Sequence, residues 1–119
     1  LATIARYAMS NEKFREIVKT ARYIIEPTNK YKETRYLTST NHLISKYRNG
    51  SHFYAPAIGI KTGYTSKAGN CLVAAAEKDG TQFITAVMKC NNSGTSAGSF
   101  VDTKALFEFG FSNYSELLL

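Results

Sequence analysis

Ile58-Gly59-Ile60-Lys61-Thr62-Gly63-Tyr64-Thr65-Ser66-Lys67-Ala68-Gly69-Asn70 is the stretch on which the reading of this chain turns. Ala57 to Thr62 is apolar enough to be a strand, and it delivers Lys61-Thr62-Gly63 at its end. A lysine there offers a point charge to a carboxylate or tunes a neighbouring base. The threonine hydroxyl adds a directional hydrogen bond to the same anion. Gly63 lets a ligand approach the backbone with no side chain in the way. An edge strand also pairs with extended peptide through its own N–H and C=O groups. In isolation the triplet reads more readily as a turn leaving a strand, so its flanks must decide.

Downstream, Cys71–Ala76 and Phe83–Met88 read as two more strands. Lys78-Asp79-Gly80-Thr81 between them is a hairpin signal. Depending on register, Cys71 and Cys90 face each other across that hairpin; two separate thiols are preferred over a disulfide. Asn91–Ser99 reads as a Ser/Gly/Asn-rich loop. A closing helix then runs from about Phe100 to Phe109, with Val101, Ala105 and Phe109 on one face and Gly110 as its C-terminal cap.

Upstream, Leu1, Ile4, Ala5, Ala8 and Met9 share one helical face. Ser10 reads as the N-cap of a second helix, with Met9 and Phe14 in the staple positions and Ile17 and Val18 continuing its apolar face. Ala21–Glu26 and Tyr31–Thr38 read as paired strands around the turn Pro27-Thr28-Asn29-Lys30. Asn41–Tyr47 suits one or two helical turns, and Arg48–Ser51 a loop. The whole predicts an α+β domain: helices over 1–20, strands and loops over 21–90, then the closing helix, built on an antiparallel sheet with flanking helices.

Composition sets bounds rather than a function. The 119 residues suit one small domain, and 44% hydrophobic with 20% charged residues is globular. Fifteen Lys and Arg against nine Asp and Glu give +6, which favours anionic partners such as wall polymers, anionic lipid or nucleic acid. The basic residues are scattered, so a solvated surface accounts for them as well. No apolar run approaches the length of a membrane-spanning helix. His42 and His52 have no metal-ligand spacing with each other or with the cysteines, so neither a metal nor a cofactor is expected.

The extended pattern resembles the serine D-alanyl-D-alanine carboxypeptidases of peptidase family S11, the low-molecular-weight penicillin-binding proteins. Their run of Lys-Thr-Gly, aromatic, Thr, polar pair, Ala-Gly, Leu-Val-Ala and Ala-Val-Met is matched by Lys61 to Gly69, Leu72-Val73-Ala74 and Ala86-Val87-Met88. The likeness extends to Phe14-Arg15-Glu16-Ile17-Val18 and to Phe107-Glu108-Phe109-Gly110-Phe111. It implies the C-terminal part of a β-lactamase/transpeptidase-like catalytic domain. It also implies that Lys61 and Thr62 bind the substrate's terminal carboxylate. The Tyr64 backbone N–H would be an oxyanion donor beside Gly63, and the Ile60 strand would pair with the peptide stem. Chemistry would pass through an acyl-serine. The implied partners are peptidoglycan stem peptides ending in D-Ala-D-Ala and β-lactams, outside the cytoplasm in a bacterial envelope. Nucleic acid is not expected.

The same family needs Ser-x-x-Lys and Ser-x-Asn. Ser10-Asn11-Glu12-Lys13 and Ser39-Thr40-Asn41 match as strings. The gaps, from 10 to 39 and from 39 to 61, are several-fold shorter than the family's. Leu1–Thr20 resembles instead the helices that follow the family's Ser-x-Asn. The expectation is that nucleophile, base and relay serine lie upstream of Leu1, that this chain alone is inactive, and that its uncovered apolar face promotes self-association. The family often carries a basic residue shortly before the Lys-Thr-Gly strand; His42 stands in the matching stretch as a candidate for it, or as a plain loop histidine. Two other readings stay open: a basic binding module for wall peptide or nucleic acid, and a class A β-lactamase relative sharing Lys-Thr-Gly.

Overall fold

In the computed structural model, which describes residues 1–90 and 97–117 with side chains to 114, a three-stranded antiparallel meander forms the centre. Its strands are β3 (Ala57–Thr65), β4 (Gly69–Lys78) and β5 (Thr81–Cys90), with β4 in the middle. Gly69-Asn70-Cys71-Leu72-Val73-Ala74-Ala75-Ala76 is apolar on both faces, as a strand covered on both sides must be. Leu72, Ala74, Ala75 and Ala76 are fully buried.

The β4–β5 turn forms as the sequence predicts. Lys78 pairs with Thr81, and Asp79 (φ 52°) and Gly80 (φ 78°) both adopt the left-handed conformation of a tight two-residue hairpin. A bulge between Asn70 and Leu72 shifts the register so that Asn70, not Cys71, lies opposite Cys90. No disulfide joins the two cysteines. Cys90 Sγ donates to Asp102 at 3.3 Å, while Cys71 Sγ accepts from the Lys89 N–H at 3.5 Å.

Helices cover the two sheet faces. On one, α3 (Ala97–Leu117) buries Phe100 and Phe107 against Leu72, Ala74 and Ala76, together with Leu43, Ile44 and Tyr54 from the connection before β3. Alanine on the strand gives the aromatic rings room. On the other face lie α1 (Ala2–Ala8), with Ala5 and then Met9 buried, and α2 (Glu12–Lys19), which rests on β3. Gly59, paired with Ala75, has φ 145°, and a Cβ there would stand 2.8 Å from Val18 Cγ2. Glycine is therefore required where α2 crosses the strand. A separate two-stranded hairpin, β1 (Arg22–Ile25) and β2 (Arg35–Thr38), follows α2.

Several local expectations change. The cap of α2 is Asn11, whose side chain accepts from Phe14 N at 3.0 Å; Ser10 Oγ instead donates back to the Tyr7 carbonyl. Both residues are good caps, and the hydrogen bond selects between them. Residues 41–47 do not form a helix. Asn41 Oδ1 accepts from Leu43 N at 3.0 Å and Ser45 Oγ from Tyr47 N at 3.2 Å, so side chains take the amides that a helix would use. β2 begins at Arg35 rather than Tyr31, because Thr28 Oγ1 holds Lys30 N and Tyr31 N in a turn.

The closing helix is longer than expected and faces the other way. Val101 and Phe109 are exposed, whereas Phe100, Thr103, Phe107 and Gly110 are buried. Gly110 is no cap but an interior position, where an added Cβ would meet the Phe83 ring at 3.2 Å. Of the loop expected at 91–99, residues 91–96 lie outside the described residues and 97–99 already belong to α3.

Phe107→Ala is expected to lower unfolding free energy by about 3–5 kcal/mol, read from urea denaturation. His42 stacks on Phe100 with centroids 4.9 Å apart. Burial, then the neighbouring His52 and Arg48, hold its pKa below the usual histidine value. The unfolded chain then binds the extra proton more readily, so this contribution is present above about pH 6.5 and is lost as pH falls below it. The melting temperature should fall less between pH 7 and 5 in His42→Gln than in wild type.

Candidate functional site

Lys61, Thr62 and Gly63 end on the unpaired edge of the meander, since β3 is bonded to β4 on one side and to no other strand among the described residues. Strand alternation divides the triplet between the two faces. Thr62, opposite Leu72, points to the α3 side; Lys61, opposite Val73, points to the α2 side. Lys61 is exposed, and its ammonium donates to the Thr62 carbonyl at 2.7 Å, leaving further protons for a ligand. A Cβ on Gly63 would meet nothing within 4 Å. The strand is therefore bare where the sequence predicts ligand approach.

A cavity of about 400 Å³ opens beside the triplet. Lys61, Thr62, Gly63 and Tyr64 form one wall, and Thr40, His42 and Arg48 form another. Asn70, Cys71 and Ser99 complete it. The lining holds two permanent cations and a histidine, and no carboxylate. The two salt bridges among the described residues, Lys13–Glu16 and Arg15–Glu77, lie elsewhere. Such a cavity is suited to an anion.

Thr40 was not singled out by sequence, yet its Oγ1 lies 2.5 Å from Thr62 Oγ1. It is the middle residue of Ser39-Thr40-Asn41, read there as a strand-to-helix loop. Ser39 Oγ accepts from Asn41 N at 3.1 Å, and Asn41 is buried, so the flanking residues shape the turn that presents Thr40. Arg48 was also missed. Its Nε and Nη2 donate to the carbonyls of Ser39 and Thr38 at 3.0 and 3.3 Å. Neither residue carries a local pattern that would have marked it; the path of the connection brings both to the strand.

Ser10 and Lys13 are each bonded to a partner other than the other. The Ser10 proton is committed to the Tyr7 carbonyl at 2.6 Å. Lys13 is exposed, and its hydrogen bond to Glu16 raises its pKa, opposite to what an amine base requires. Neither residue lines the cavity at Lys61-Thr62. Among the described residues no cluster of His, Cys, Asp and Glu is placed to hold a metal, and no helix is long and apolar enough to cross a membrane.

Residues 1–92 match the D-alanyl-D-alanine carboxypeptidase family of peptidases, S11. A D-alanyl-D-alanine carboxypeptidase of Streptomyces sp. (strain K15) is 37% identical over 91 residues, 74% of this chain and 29% of that protein. A variant of the Streptomyces K15 DD-transpeptidase superposes with TM-score 0.76 at 32% identity, over 93% of this chain and 40% of the other. Penicillin-binding protein D2 from Listeria monocytogenes, solved with cefotaxime bound, gives TM-score 0.66 at 30% identity, over 91% and 37%. The chain thus spans less than half the length of each of these relatives. With its helix-flanked antiparallel sheet and its Lys-Thr-Gly edge strand, the chain belongs to the D-alanyl-D-alanine carboxypeptidase family.

Proposed function

We propose that this chain is the carboxylate-gripping part of a serine D-alanyl-D-alanine carboxypeptidase that trims peptidoglycan stem peptides. The observation that carries the reading is the bare edge strand at Lys61-Thr62-Gly63 opening on a cationic cavity without a carboxylate. Lys61 and Thr62 hold the terminal carboxylate of D-Ala-D-Ala. The Tyr64 backbone N–H, next along the strand, serves as an oxyanion donor to the scissile carbonyl. The open edge of β3 pairs with the extended peptide.

The chemical step is acyl transfer. A serine hydroxyl attacks the penultimate carbonyl, D-alanine leaves, and water releases the acyl-enzyme. The committed hydroxyl of Ser10 and the ion-paired ammonium of Lys13 support a nucleophile and base other than these two residues. The ligand in the Listeria relative supports β-lactams as competitors of the peptide in the whole enzyme. The family's substrate supports a position in the bacterial envelope.

Two measurements test this reading. Lys61→Gln should weaken binding of N-acetyl-D-alanyl-D-alanine by about tenfold at low salt, in an NMR titration. Incubation with benzylpenicillin should leave the mass of the 119-residue chain unchanged; a stoichiometric adduct on Ser10 would sink the assignment. Leu1, Ile4, Ile17 and Tyr23 are each more than 60% exposed, and such surface favours association. Sedimentation should therefore show species larger than a monomer at tens of micromolar.

A further inference from the structure

We propose that the β1–β2 hairpin is a docking surface for a linear phosphodiester polyanion, held by cations that are braced on aromatic rings. None of the cations and rings involved lines the Lys61-Thr62 cavity, so the proposal stands apart from the carboxylate reading of that cavity.

Charge is not spread evenly along the chain. Residues 19–46 hold six Lys and Arg against two Asp and Glu, a net +4. The other 91 residues hold nine against seven, a net +2. The two salt bridges among the described residues, Lys13–Glu16 and Arg15–Glu77, both fall outside this segment. Its cations therefore lack a carboxylate partner among the described residues, and such a field draws an anionic one from solution.

Three of the six are held in place. The Arg22 guanidinium carbon lies 3.9 Å from the Tyr47 ring centroid and 5.7 Å from that of Tyr36, and its Nε donates to Thr38 Oγ1 at 3.2 Å. The Arg35 guanidinium lies 4.7 Å from the Tyr31 centroid, and the Lys46 ammonium 4.4 Å from that of Phe53. Contacts of this kind arise about once per 70–80 residues. Three cations so placed within one short segment are a built feature rather than chance. A ring beneath a guanidinium fixes its plane and leaves the in-plane N–H groups of both Nη atoms directed outward. Less side-chain freedom is then lost when a phosphate binds across them.

Geometry selects the kind of anion. In the hairpin register Arg22 shares one face with Ile24 and Tyr36, and Arg35 shares the opposite face with Tyr23 and Leu37. Lys30 and Lys32 stand exposed in the connection between the two strands. The cations thus encircle a ribbon. A flat bilayer would meet only one of its faces, whereas a flexible chain of phosphates follows the ribbon around. A nucleic-acid strand would need ring faces free to stack its bases. Here Tyr31, Tyr36 and Tyr47 have guanidinium groups laid on them, so the rings serve the cations. The favoured partner is a polymer of phosphodiester units without aromatic bases.

The test titrates poly(glycerol phosphate) into the 119-residue chain and follows amide shifts by NMR at a series of salt concentrations. Shifts should concentrate on the hairpin and on Lys46 and Tyr47, and log K should fall against log salt with a slope of about −3, as for some four cations engaged. Arg22→Gln should weaken binding by about three- to tenfold at low salt and reduce the slope by about one. Lys78→Gln, which removes a cation resting on the Phe111 ring outside the hairpin, should leave both unchanged. Tyr47→Leu should weaken binding by about threefold at an unchanged slope, because it removes the brace and not the charge. An equal loss in Lys78→Gln, or no loss in Arg22→Gln, reduces the attraction to net charge and overturns the proposal. Tighter binding of oligodeoxythymidylate than of the polymer would assign the surface to nucleic acid instead. Capture by phosphatidylglycerol vesicles without binding of the polymer would assign it to a membrane. Should Arg22→Gln not fold, the double variant Lys30→Gln, Lys32→Gln decides, since both side chains are exposed. It should weaken binding by about threefold or more, and undiminished affinity refutes the proposal.

Discussion

Burial of β4 on both faces is the constraint from which the rest of the molecule follows. A strand of Leu72, Ala74, Ala75 and Ala76, all fully inaccessible, must be covered above and below. Its small side chains set the spacing. On one face Phe100 and Phe107 descend onto the alanines. On the other, Val18 of α2 comes so close to β3 that only glycine fits at position 59. With both faces covered by helices, the strands left with an open edge among the described residues are β3 and β5, and it is β3 that carries Lys61-Thr62-Gly63. The site is where the packing stops.

This division explains which parts of the fold could be read from the chain. The meander was legible because each strand carries its own apolar run and because Asp79-Gly80 tolerates the left-handed backbone of a tight turn. The face of α3 was not. Val101, Ala105 and Phe109 form a row as apolar as the buried one, so periodicity alone does not choose between them. The choice is made by what the helix meets: Phe83 packs beneath Gly110, and the alanines of β4 receive Phe100 and Phe107. Similarly, Ser10 and Asn11 are adjacent residues of equal capping ability, and one residue of helix phase separates them.

The candidate site was legible in the same partial way. Lys61, Thr62 and Gly63 sit in a contiguous motif, and the strand presents them as its alternation requires. Thr40 and Arg48 come from a connection without periodic structure, held by Asx and Ser turns. Nothing in residue spacing encodes where such a segment passes. The string that tempts a catalytic reading, Ser39-Thr40-Asn41, contributes its middle residue to a wall of the cavity and spends its ends on turn geometry.

The hydroxyl pair of Thr40 and Thr62 carries a directional consequence. Each hydroxyl owns a single proton, so at 2.5 Å only one of them can donate to the other. An anion beside Thr62 demands that residue's proton. The Thr62 oxygen must then accept, and Thr40 must donate to it. The two dipoles align head to tail toward the ligand, and each polarises the next. Occupancy of the cavity thereby sets the polarity of a short relay. With an anion bound at Thr62, the loop that contributes Thr40 would respond to the charge of a group it need not touch.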